Sequence, residues 1–250
     1  MDDNNIMQRQ ESLRLDTPQS AAVVGCGGVG SWVALFLALS GVPELWLFDH
    51  DTIGSSNLNR VLFTADEVGK PKTEQLRELI LKYRPSCTVY ACGRFTQEVA
   101  DGIDIGDTLQ YVIAATDSVA SRKMIADWCK RELVPYVEVG AEGEIGSITG
   151  EPADFVTPQE AEPGYASVPV WLGPAVNAAV MAVSYVLHGK RIGEKSLRAG
   201  WDGASFSFYD SSRNNNEDDN RTTTLLDDEE NQDEQEEQDT ADTTADDIPF

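Results

Sequence analysis

Basic residues are scarce in this chain: 19 lysines and arginines stand against 43 aspartates and glutamates, for a formal net charge of −24. A protein that grips a nucleic-acid backbone presents a basic patch to the phosphates, so direct nucleic-acid binding is not expected. Long apolar runs are missing as well. None approaches the ~20 residues that a membrane-spanning helix needs, and no membrane partner is expected. The first ten residues, MDDNNIMQRQ, lack a basic start followed by an apolar stretch, so a cytoplasmic protein is expected. Cysteine occurs only at Cys26, Cys87, Cys92 and Cys129, with no CxxC pair. That spacing suggests no zinc site, and scattered intracellular thiols stay reduced.

The charge is unevenly spread. Residues 211–250 hold 15 acids and 2 arginines, a net of −13, which leaves −11 for the other 210 residues. Such a composition cannot bury enough apolar surface to order itself, so 211–250 is expected to be a disordered acidic tail. Ahead of it, 1–20 reads as a polar N-terminal segment and 21–210 as one α/β domain.

Within that domain apolar runs alternate with helical patterns. AAVVG is a short buried strand that stops in glycines, SWVALFLALSG is a helix with Gly41 at its C-terminal end, and ELWLFDHD is a second strand. Together they form one βαβ unit. Pro71 opens a helix with Leu76, Leu79, Ile80 and Tyr83 on one face, and Pro85 stops it. TVYAC, YVIAATD and PYVEVG are further strands, and SVASRKMIADWCKREL is a helix. Unbroken apolar strands between helices predict a doubly wound, mostly parallel sheet. Residues 151–174 are rich in proline, glycine and acids, which suits a functional loop. GPAVNAAVMAVSYVLHG then reads as a buried helix ending at His188, and LRAGW and SFSFYD as closing strands.

Gly25-Cys26-Gly27-Gly28-Val29-Gly30 lies between the first strand and its helix. There, backbone N–H groups and the helix dipole can hold phosphate, and glycines let a ligand come close. Asp49 ends the second strand, where a carboxylate can take ribose hydroxyls. To this point NAD and ATP fit equally well. The next stretch separates them: Asp51, Asn57 and Arg60 in DHDTIGSSNLNR, then Lys72 in Gly69-Lys70-Pro71-Lys72. A cluster of Asn, Arg and Lys beside the phosphates suits phosphoryl or adenylyl transfer, in which charge builds on those groups. Asp117 follows another strand at the edge where ligands bind, and could hold Mg²⁺ through one carboxylate.

GxGGxG, DxDxxxxSNLNR, GxPK and a late TD, spread from about Arg9 to Gly189, resemble the ThiF/MoeB family, bacterial relatives of ubiquitin-activating enzymes. The resemblance implies a Rossmann-like, ThiF-type fold and ATP with Mg²⁺ as cofactors. It implies adenylation of a carboxylate, usually the C-terminus of a ubiquitin-like protein or peptide, with release of pyrophosphate. It assigns Gly25, Gly27, Gly28 and Gly30 to the phosphates, Asp49 to the ribose, and Asn57, Arg60 and Lys72 to phosphate. Asp51 is grouped with them as a nucleotide contact, and Asp117 is the magnesium ligand. It implies a homodimer in which Arg9, with Arg14 as the rival, reaches the partner's phosphates. The acceptor's tail would thread under the crossover loop, 151–174. The chain departs from the family in lacking paired CxxC motifs and any cysteine after Cys129, so adenylation without an evident catalytic cysteine is expected.

The last five residues, Asp246, Asp247, Ile248, Pro249 and Phe250, resemble the terminal peptide of bacterial single-stranded-DNA-binding proteins. That resemblance implies docking to the proteins that read such a peptide. Two other readings stand beside adenylation: an NAD-binding oxidoreductase, and a non-catalytic nucleotide-binding adaptor that docks through its tail. Arg122 is equally suited to bracing the nucleotide site or to a salt bridge, and Trp171 to anchoring a partner or packing the loop. His50 suits a turn or surface role, and the four cysteines suit packing.

Overall fold

Ser20–Val24, the first strand (β1), is buried at all five positions. Successive side chains of a strand point to opposite faces, so a run buried throughout must be covered on both sides. Ala21 and Val23 pack into one core and Ala22 and Val24 into another. The computed structural model describes residues 6–13, 15–102, 109–149, 170–192, 197–201 and 206–210, with side chains up to residue 188. After β1 come α1 (Gly30–Leu39), β2 (Glu44–Phe48), α2 (Lys72–Tyr83), β3 (Thr88–Cys92), α3 (Gln97–Gly102) and β4 (Val112–Ala114). Then follow α4 (Val119–Glu132), β5 (Tyr136–Glu142), β6 (Ile145–Thr149), α5 (Leu172–Ile192), β7 (Leu197–Trp201) and β8 (Phe206–Asp210).

The strands form one sheet in the order β3-β2-β1-β4-β5-β6-β7-β8. The pairs from β3 to β5 are parallel, and those from β5 to β8 are antiparallel. Leu37 of α1, Leu76 and Ile80 of α2, and Ala178 and Ala182 of α5 cover one face. Ala100 of α3 with Ile125 and Trp128 of α4 cover the other. This is the doubly wound, mostly parallel sheet that the apolar runs predict. β1 connects onward to β2 on one side and lies beside β4 on the other, so the carboxyl ends of β1 and β4 diverge into a crevice where such sheets bind ligands.

Several local signals act as read. Gly41 follows the cap residue of α1 at φ +102°. The Gly41 and Val42 amides donate to the Ala38 and Leu37 carbonyls at 3.1 Å, which closes the helix. On α2, Leu76 and Ile80 are buried, whereas Tyr83 is 55% exposed and leaves the apolar face. α5 continues past His188 to Ile192, because a glycine weakens a helix without ending it.

Two elements are absent from the sequence reading. α3 has six residues with only Ala100 buried, too few to show a helical period. β6, sequence IGSIT, is disguised by Gly146. A Cβ at Gly146 would lie 2.7 Å from the Pro174 carbonyl oxygen and 3.1 Å from Ala178, so the glycine admits α5 against the strand. Among the described residues no helix is long and apolar enough to cross a membrane. The chain divides into two units, Met1–Asn214 and Asn215–Phe250. The second, with the Asp246–Phe250 peptide, lies outside the described residues, as do Arg14 and 150–169.

Candidate active site

Three strands of the parallel half deliver the site. The glycine loop follows β1, Asp49 follows β2, and Ala115-Thr116-Asp117 follow β4. They line a cavity of about 510 Å³, within the usual range for small-molecule sites. Gly25, Gly27, Gly28, Asp49, Asp51, Asn57, Arg60, Lys72 and Asp117 all border it. Gly30 does not. A Cβ there would fall 1.8 Å from the Gly25 carbonyl oxygen, so Gly30 lets the start of α1 press against the back of the loop.

The loop has the shape of a cradle. A Cβ at Gly27 would meet nothing within 4 Å, and one at Gly28 would first meet the Arg60 side chain, 3.1 Å from Cδ. Val29, the residue that caps α1, offers no side-chain hydrogen bond, which leaves the positive end of the helix facing the cavity. Gly25 holds the turn at φ +96°, with its would-be Cβ 2.6 Å from the Ala115 carbonyl oxygen. This spot, where the loop crosses β4, admits no side chain.

Asp49 ties the loop to β2. Its Oδ2 accepts from the Cys26 amide and its Oδ1 from the Asp51 amide, both at 2.8 Å. Lys72, the first residue of α2, is 8% exposed and directs Nζ at Asp51 Oδ2 (2.9 Å) and Asp49 Oδ2 (3.8 Å). Its hydrogen bond holds the Asp51 carboxyl below the usual carboxylate range, the ammonium charge adding to the effect. Asn57 Oδ1 accepts from the Gly54 amide at 3.1 Å and braces its own turn. Arg60 Nη1 donates to the Ser56 carbonyl (2.9 Å) and to Asn59 Oδ1 (2.8 Å). Asp117 is exposed on the rim.

Arg122 lines the cavity, and its salt bridge is not on the helix surface but runs to Glu138, buried in β5. Its Nε donates to the Thr116 carbonyl at 2.5 Å and its Nη1 to Glu138 Oε1 at 2.6 Å. The Tyr136 hydroxyl donates to Glu138 Oε2 at 3.1 Å. Burial pushes the Glu138 carboxyl up, against the downward pull of Arg122 and Tyr136. The motif reading missed Glu138, although an acid inside the apolar run YVEVG is a signal, because a buried charge demands partners. It also missed Arg94, which borders the cavity just past β3 and donates to His50 Nε2 at 2.5 Å. Only its place two residues beyond a strand's carboxyl end could have flagged it.

Arg9 is not brought to the cavity of its own chain; it is exposed. The neighbouring Gln10 donates through Nε2 to the Ser40 carbonyl at 2.8 Å, at the end of α1 farthest from the glycine loop. Trp171 is 47% exposed and donates to Glu144 Oε2 at 2.8 Å, so its polar edge is held by the β5–β6 turn. Cys26, Cys87 and Cys129 are buried, and desolvation raises the Cys26 thiol and pushes Cys129 up to about 12. His50 is exposed at the cavity edge.

The profile of the ThiF family matches residues 5–162. A tRNA threonylcarbamoyladenosine dehydratase of Haemophilus influenzae is 37% identical over 139 residues, covering 52% of this chain and 53% of that protein. A probable molybdopterin-synthase adenylyltransferase of Porphyra purpurea is 33% identical over 124 residues, 49% of this chain and 31% of that protein. The chain thus spans about half the length of the first relative and less of the second. Among solved structures, Escherichia coli MccB with ATP superposes with a TM-score of 0.58 at 24% identity, covering 76% of this chain and 63% of that one. At that identity the likeness shows a shared fold.

Proposed function

Because the chain belongs to the ThiF family, we propose that its cavity binds ATP with Mg²⁺ and adenylates the carboxylate of a ubiquitin-like protein or peptide. One observation carries this reading: the glycine cradle, Asp49, Arg60, Lys72 and Asp117 border a single cavity at the carboxyl ends of the parallel strands. The cradle fits a phosphate chain, since its glycines leave backbone exposed and its helix start lacks a side-chain cap.

In this reading the nucleotide supplies an α-phosphorus to which an acceptor carboxylate oxygen bonds, while the bond to the bridging oxygen breaks and its electron pair leaves with pyrophosphate. The chain's part is positioning and charge. Asp49 has its loop-facing lone pairs taken by the Cys26 and Asp51 amides and offers the rest to ribose hydroxyls. Lys72 and Arg60 meet negative charge that grows on the phosphates. Asp117 is free of the Asp49–Lys72–Asp51 cluster, and in this reading its carboxylate would take Mg²⁺. The thiols are buried or lie outside the cavity lining, which suits adenylation without a thioester.

The first relative's name places tRNA among the substrates of that family member. The acidic body of this chain argues against a tRNA backbone here. The test is calorimetric binding of Mg-ATP, and separately NAD, to the full chain and to Asp117→Ala. Mg-ATP binding that weakens in the variant is the expected result. NAD binding without ATP binding would overturn the reading, and ATP binding without pyrophosphate exchange on any carboxylate offered would favour an adaptor.

A further inference from the structure

The cavity's two phosphate-facing loops are held together by a residue that belongs to neither. Trp32 is the third residue of α1, the helix that the glycine loop opens. Its indole Nε1 donates to the Arg60 carbonyl at 3.0 Å, a link between residues 28 apart in the chain. Its ring leans on Phe36 one turn further along, with centroids 5.8 Å apart and planes tilted by 49°. The ring is half-buried, so its orientation is set by packing and its one donor has one direction to point. On the other side of that bond, the Arg60 side chain lies across the glycine loop, with its Cδ and Cγ 3.1 and 3.2 Å from where a Gly28 Cβ would stand. The Arg60 amide donates back to the Asn57 carbonyl at 3.0 Å, so Trp32 holds the residue that closes the turn carrying Asn57 and Arg60.

We propose that Trp32 is a positioning residue that fixes the Arg60 guanidinium over the glycine loop, and so sets the grip of the site on a phosphate chain. The proposal rests on the reading of this cavity as a nucleotide site. Phenylalanine at position 32 keeps the ring and its contact with Phe36 but has no N–H. It frees the Arg60 turn without removing the arginine.

The experiment measures equilibrium binding of Mg-ATP and of adenosine to the full chain, to Trp32→Phe, to Arg60→Ala and to the double variant. Loss of one neutral hydrogen bond's worth of positioning weakens Mg-ATP about fivefold in Trp32→Phe and leaves adenosine within about twofold of the parent. In the Arg60→Ala background, Trp32→Phe has no further effect, because the group it positions is gone. Arg60→Ala with parental Mg-ATP affinity would sink the reading of the cavity itself. Arg60→Ala weakened while Trp32→Phe matches the parent overturns the Trp32 proposal alone. So does a Trp32→Phe effect that persists in full without Arg60, or one that falls equally on adenosine, since both describe a merely architectural contact.

Discussion

Gly25 and Gly28 stand three residues apart in one loop and are glycines for opposite reasons. At Gly25 the backbone has φ +96° and a Cβ would press on the Ala115 carbonyl, a rigid group in the neighbouring strand's exit. Gly25→Ala should therefore lower the free energy of unfolding by about 2–4 kcal/mol, read from urea titration. At Gly28 the nearest atoms all belong to the flexible Arg60 side chain. Gly28→Ala should leave the urea midpoint close to the parent's while weakening Mg-ATP, because Arg60 is displaced from the cradle. A large stability loss at Gly28, or none at Gly25, would show that the loop is not held as described. Both glycines, with Asp49, Arg60 and Lys72, are legible in the sequence because their motifs are local and each follows a recognisable strand end. Arg94 and Trp32 are not, and Glu138 shows only as an acid within an apolar run, without its partners. Their roles come from contacts with residues 16 to 44 positions away, which no short motif records.

Helix α4 joins the site to the sheet, and two of its features make predictions. Its C-terminus is closed by Leu133 in the left-handed region at φ 58°, with the Val134 amide donating to the Cys129 carbonyl at 2.9 Å. Leucine is strained there, and at 89% exposed it gains little packing in return. Leu133→Gly should stabilise the chain by about 0.5–1 kcal/mol and raise the melting temperature. An unchanged or lower value would show the leucine is held by something beyond its own backbone. At its other end α4 carries Arg122, paired with Glu138 of β5. The Glu138 carboxyl is raised above its ordinary value by burial and pulled back by Arg122 and Tyr136. A folded value above the unfolded one means that this group's contribution is complete below the ordinary carboxylate range and is lost as pH rises through the folded value. Arg122→Gln removes a lowering influence, so the folded value rises further and the loss grows. Urea midpoints at about pH 5 and about pH 8 should therefore differ more in the variant than in the parent. Equal differences would mean that Arg122 does not hold Glu138. At this scale the long elements are legible, since β1 is an unbroken apolar run and α1, α2 and α4 are of helical length with many buried positions. α3 is too short and β6 too glycine-marked to do so.

For the whole molecule, the question is how Arg9 could act at all. The Gln10–Ser40 bond ties the N-terminal turn to the far end of α1. α1 has 10 residues, so that end stands about 15 Å from the glycine loop along the helix axis. Arg9 itself is exposed and does not border the cavity of its own chain. We propose that it serves the cavity of a second copy, a geometry that arises only between two chains. Arg9→Ala and Asp117→Ala should then each abolish pyrophosphate exchange. Mixed in equal amounts and allowed to exchange subunits, they should recover about a quarter of the parental rate, because half the dimers are mixed and each mixed dimer has one intact site of two. The intact site combines Asp117 from the Arg9→Ala copy with Arg9 from the Asp117→Ala copy. No recovery, in a mixture shown by mass measurement to contain mixed dimers, would argue for a site completed within one chain and against Arg9 acting on the partner's cavity. Full activity of Arg9→Ala alone would do the same without any mixing.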